Sequence, residues 1–62
     1  MTRAEITSIV KMLGYSNDEL RLLDDYRKTR LYERIKKVIF EKVSTHEEYS
    51  AGITMLCDVL EY

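Results

Sequence analysis

Thr45-His46-Glu47-Glu48-Tyr49-Ser50-Ala51-Gly52-Ile53-Thr54-Met55-Leu56-Cys57-Asp58-Val59-Leu60 opens on a hydroxyl, places a carboxylate three residues later, and then repeats apolar side chains at helical spacing. A Ser or Thr followed three residues on by Glu is the capping box. The hydroxyl accepts from an unpaired backbone N–H of the first turn, and the carboxylate reaches back to another. Tyr49, Ile53, Leu56 and Leu60 then fall on one face of a helix, with Gly52 and Val59 alongside. Gly52 inside a helix costs up to about 1 kcal/mol relative to Ala. A close crossing with another helix is one reason for it; tolerated drift is the other.

The same start signal occurs at Thr2-x-x-Glu5 and Ser16-x-x-Glu19. One match is weak, but three, each followed by apolar residues at helical period, specify helix starts. Helix 1 is expected from Arg3 to Leu13, with Ile6, Ile9, Val10 and Leu13 on its apolar face. Gly14 fits the left-handed residue that ends a helix, and Tyr15 can fold back on Val10. Helix 2 starts after Ser16, with Asp18 and Glu19 in the first turn, where carboxylates meet the positive end of the helix dipole. Residues 17–43 are read as two helices, a kinked continuous helix being the alternative. The stripe Leu31, Ile35, Val38, Ile39 is about a quarter turn out of phase with Leu20 and Leu23. The polar run Arg27-Lys28-Thr29-Arg30 lies where the stripes fail to join, which makes Thr29 a candidate cap and puts helix 3 at Arg30–Val43. The fold class read from this pattern is all-α, a single domain over 1–62. It is a small bundle of three to four short helices, packed roughly antiparallel and open to completion by a second copy.

A chain of 62 residues buries only about 60% of its unfolded surface. Cys57 is alone, so no disulfide framework supplements the core. Small scaffolds without such staples depend on well-packed helices or on oligomers, which makes a homodimer the default expectation. Apolar residues at 45% and charged residues at 34% are a globular composition. The net charge of −1 selects neither nucleic acid nor membrane. No apolar run approaches the roughly 20 residues of a membrane span. Met1 to Glu5 lack the basic-then-apolar order of a secretory signal. Together with the lone Cys, this reads as a cytoplasmic protein.

The residue types that carry catalysis are scarce. His46 and Cys57 are the one His and the one Cys, too far apart along a single helix to form a nucleophile pair. Asp24-Asp25 and Glu47-Glu48 are adjacent pairs, and consecutive helical residues diverge by about 100°, so neither is a metal clamp. Gly14 and Gly52 do not make a phosphate-cradling loop. The expectation is therefore no enzyme, no cofactor and no metal.

Binding signals are stronger. Between Arg27 and Lys37 six bases (Arg27, Lys28, Arg30, Arg34, Lys36, Lys37) face one acid, Glu33, whereas the chain after Ser44 has no Lys or Arg. Arg27, Arg30, Arg34 and Lys37 fall along one side of a continuous helix, a stripe suited to phosphates or to an acidic protein surface. The plain alternative is a solvated face with i, i+4 pairs Asp24–Lys28 and Glu33–Lys37. A helix-turn-helix across Gly14 would put Asp18 and Glu19 against phosphate, which disfavours it. Tyr15, Tyr26, Tyr32, Tyr49, Tyr62 and Phe40 are many aromatics for so short a chain, and Tyr suits interfaces because it joins apolar area to a polar tip. Self-association is expected through Tyr49, Ile53, Leu56 and Leu60, or through the Phe40 edge of helix 3. Asp18 to Arg27 resembles the helical hairpins that follow the DNA-binding domain in some bacterial repressors, but the stretch is generic amphipathic sequence and implies no function. The leading expectation is a small non-enzymatic interaction module, a homodimer that regulates or inhibits a larger protein, of a size that fits a bacterial or phage accessory protein. The alternative is a nucleic-acid-binding regulator using the basic stripe of residues 27–37. A structural subunit of a larger helical assembly is the third reading.

Overall fold

A computed structural model describes residues 2–62 as four helices: α1 (Arg3–Met12), α2 (Asn17–Arg21), α3 (Asp25–Lys42) and α4 (His46–Leu60). The fold is all-α, as the sequence pattern requires. Both reciprocal capping boxes form as expected. Glu5 N–H donates to Thr2 Oγ1 at 3.3 Å while Thr2 N–H donates to Glu5 Oε1 at 3.1 Å. Ser16 and Glu19 repeat the exchange at 3.2 Å in both directions. At α4 the box is displaced by one residue. Thr45 Oγ1 accepts from Glu48 N–H, but the Glu48 carboxylate accepts from Ser44 N–H.

Residues 17–43 do form two helices, but the expected joint at Arg27 to Arg30 is wrong. The break is at Leu22 to Asp24, and α3 is the long helix of the molecule. Asp24 caps it, accepting from Arg27 N–H at 2.7 Å. A carboxylate at that position satisfies an orphan donor as well as a hydroxyl does. Thr29, the expected cap, lies inside α3 and donates to Asp25 O one turn back. The phase mismatch is resolved at the break: α2 buries Leu20, and Leu22 stays 85% exposed.

The core comprises Ile6, Ile9 and Val10 from α1, Leu20 from α2, Leu31, Ile35 and Ile39 from α3, and Leu56 and Leu60 from α4. α4 packs against both α1 and α3. Its buried line is Gly52, Leu56 and Leu60, slightly rotated from the sequence stripe, so Tyr49 and Ile53 sit at the core's edge. Phe40 meets Tyr49 near the connecting turn, and Tyr32 meets Tyr62 at the far end, so α3 and α4 run antiparallel. The exposed Arg3–Asp58 ion pair ties the start of α1 to the end of α4.

Two helices end in the same motif with different residues. After α1, Tyr15 N–H donates to Val10 O and Gly14 N–H to Lys11 O, with Gly14 at φ 96. After α4, Tyr62 N–H donates to Cys57 O and Glu61 N–H to Asp58 O, with Glu61 at φ 54. This is the double hydrogen-bond pattern that satisfies the last free carbonyls. Gly adopts the left-handed conformation freely, whereas a residue with a Cβ does so at a cost.

Candidate arginine–tyrosine groove

The N-terminal half of α3 projects Tyr26, Arg27, Arg30 and Arg34 to one side of its buried stripe. Tyr15, from the turn after α1, and Leu23, from the α2–α3 connection, stand opposite. Between them lies a groove of about 520 Å³ floored by Leu31, which is 2% exposed. Tyr15 reaches this position because the left-handed Gly14 turns the chain back over α1, and Leu23 because Asp24 starts a new helix beside it.

The arginines are held to different degrees. Arg27 Nε is 4.0 Å from the Asp24 carboxylate, in a pair exposed on both sides. The Arg30 guanidinium lies 5.8 Å over the centroid of the Tyr26 ring, a cation–π contact one helical turn long. Among the described residues, Arg30 and Arg34 have no carboxylate within salt-bridge distance. Asp24 pairs with Arg27 rather than with Lys28, and Glu33 makes no ion pair with Lys37. Guanidinium groups present forked donors that match carboxylate and phosphate oxygens two at a time, so free arginines on a concave surface are anion receptors.

The four-residue basic stripe is thus divided. Arg27, Arg30 and Arg34 share the groove, while Lys37 lines a separate surface with Glu33, Lys36, Phe40, Glu41 and Tyr49. Lys37 sits about 15 Å along the axis from Arg27, beyond the reach of the Tyr15 and Leu23 walls. Sequence reading did not assign Tyr15, Leu23 and Tyr26 to the stripe. The available signal was Tyr26 four residues before Arg30, a spacing that stacks the two side chains on a helix.

The candidates for self-association also separate. Leu56 and Leu60 lie in the core of the single chain, 0% and 2% exposed, so in this fold they present no face to a second copy. Tyr49 and Ile53 are half-buried, and Phe40 is 69% exposed, edge-on to Tyr49 with centroids 5.7 Å apart. His46 stands 6.5 Å beyond Tyr49 on the same edge.

His46 and Cys57 occupy α4 about 16 Å of helix axis apart, and Cys57 is half-buried with a free thiol. Among the described residues, no three His, Cys, Asp or Glu side chains converge in a way that would hold a metal ion. No described helix is long and apolar enough to cross a membrane. No protein-family model matches this chain, and neither a curated protein nor a solved structure matches it.

Proposed function

We propose that the chain is a small non-catalytic protein-interaction module that regulates or inhibits a larger protein, with the Arg27–Arg30–Arg34 groove as its binding face. The observation that carries this reading is a concave surface joining three exposed guanidinium groups to an exposed tyrosine and a leucine floor. Interfaces concentrate their binding energy in Tyr and Arg anchors set around apolar pockets. Asp24, Asp25 and Glu33 border the stripe, and the chain's net charge is −1. Both work against a long polyanion and favour a short acidic partner surface over nucleic acid.

The test is affinity capture on the tagged chain from its native lysate, with and without nuclease, read by mass spectrometry. A single nuclease-resistant protein in stoichiometric yield is the expected result. Recovery of nucleic acid, lost with nuclease and at moderate salt, would replace this reading with the nucleic-acid-binding alternative, because phosphate contacts weaken steeply with salt.

Self-association is favoured by a separate observation, the 69% exposure of Phe40 beside Tyr49. We assign a homodimer contact to that edge. Sedimentation equilibrium should give a dimer mass that Phe40→Glu halves. A monomer mass for the unmodified chain would remove the dimer and leave the groove untouched.

A further inference from the structure

We propose that the groove receives an extended acidic peptide segment with one aromatic or large aliphatic side chain and two carboxylates at alternate positions. The apolar side chain seats between Leu23 and the Tyr26 ring, and the carboxylates pair with Arg30 and Arg34. This rests on the interaction-module reading and specifies its ligand.

The first argument is spacing. Tyr26, Arg30 and Arg34 stand four residues apart on α3, so their origins rise about 6 Å per step. In an extended chain, alternate residues point to one side and advance about 6.6 Å. Over two steps the axial mismatch is only about 1 Å. The three positions also turn about 40° per step around the helix, so the peptide crosses the α3 axis obliquely, a sweep that long arginine side chains follow. An apolar residue followed at two and four positions by carboxylates therefore meets Tyr26, Arg30 and Arg34 in turn.

The second argument is charge. Neither Arg30 nor Arg34 has a carboxylate partner among the described residues, and Arg30 is already held over Tyr26. A carboxylate arriving there gains a charge-assisted hydrogen bond without breaking an existing ion pair. Arg27, spent in part on Asp24, tolerates a neutral residue opposite it. Half-buried Leu23 and the exposed Tyr26 ring present apolar surface beside the guanidinium groups, which an anion alone would leave uncovered, so an apolar side chain is part of the ligand.

The test uses a fluorescein-labelled synthetic peptide in a serine–glycine background, with one phenylalanine followed at two and four positions by aspartates. Fluorescence anisotropy with the full chain should show saturable binding. Arg30→Glu with Arg34→Glu should weaken it by about tenfold or more, the equivalent of about 1.4 kcal/mol. Arg30→Gln with Arg34→Gln gives the same direction without charge reversal. Circular dichroism confirms that the helices persist in both variants. On the ligand side, replacing the phenylalanine by serine, or moving the aspartates to adjacent positions, should each weaken binding several-fold, a result independent of any variant's folding. Absence of saturable binding, equal affinity for the shifted peptide, or tighter binding of a labelled oligothymidylate would each overturn the proposal. If the peptide fails while lysate capture yields the same protein on the unmodified and Arg30/Arg34 variant chains, the module reading survives and the groove assignment does not.

Discussion

α3 carries a tyrosine with a cation one turn later on each side of its buried stripe, and the two pairs end differently. On one side Lys36 lies 5.7 Å over Tyr32. On the other Arg30 lies 5.8 Å over Tyr26. The Tyr32 side is covered. Tyr62 stacks on that ring with centroids 4.8 Å apart, and its hydroxyl shares a 3.0 Å hydrogen bond with Thr29. The Tyr26 side is open, and Tyr26 remains 70% exposed. The local chemistry is nearly the same, so the helix itself does not decide which side is used for folding. A residue thirty positions downstream does, delivered by the left-handed turn at Glu61. The surface that Tyr62 reaches becomes structure, and the surface it does not reach stays open to solvent.

The largest effect that bears on this contrast comes from the stripe between the two sides. Ile35 is fully buried, and Ile35→Ala should cost about 2–5 kcal/mol, seen as a large fall in the urea midpoint, with both tyrosine environments lost together. Unfolding that left Tyr62 packed on Tyr32 would show that the covered side holds independently of the core. Tyr62→Ala comes next. It removes a stacked ring and a hydrogen bond from a half-exposed site and should cost about 1 kcal/mol. Tyr26→Ala, on the open side, should stay within about 0.5 kcal/mol. Equal losses in the two variants would erase the distinction between covered and open sides.

Glu61→Gly should stabilise the fold by about 0.5–1 kcal/mol, measured by chemical denaturation. The change relieves a left-handed residue with a Cβ and removes an anion from the negative end of α4, where Asp58 already lies and no base is present in the last turn. A loss of stability there would mean that the Glu61 side chain contributes more than its backbone costs. Smallest of all, Arg30→Glu with Arg34→Glu should shift the urea midpoint by no more than about 0.5 kcal/mol of stability, since neither guanidinium holds an ion pair among the described residues. A larger fall would mean that these arginines serve the fold rather than a ligand.

Much of the architecture was legible because it is local. A hydroxyl with a carboxylate three residues on defines a helix start wherever it occurs, and the starts at Thr2, Ser16 and Thr45 hold to within one hydrogen-bond partner. The start at Asp24 carries no capping-box signature, because no carboxylate stands three residues after the cap; Arg27 is there instead. The apolar spacing of α1 and α3 identified their core faces, because those stripes are bounded by charged residues on both sides. α4 was less legible. It has apolar residues around more of its circumference, so periodicity alone could not say whether Leu56 and Leu60 faced this chain's core or another copy.

By itself, then, the sequence determined the helical class, three of the four helix starts, the left-handed turn at Gly14 and the presence of a basic stripe. Each of these depends on neighbours within one or two turns. Only the tertiary structure decided that Leu56 and Leu60 are interior, that Lys37 parts from the three arginines, and that Tyr15 and Leu23 wall a groove. It also decided that Tyr62 covers one side of α3 and leaves the other bare. Those outcomes depend on which distant segments the short connections allow to meet, and no local pattern encodes that.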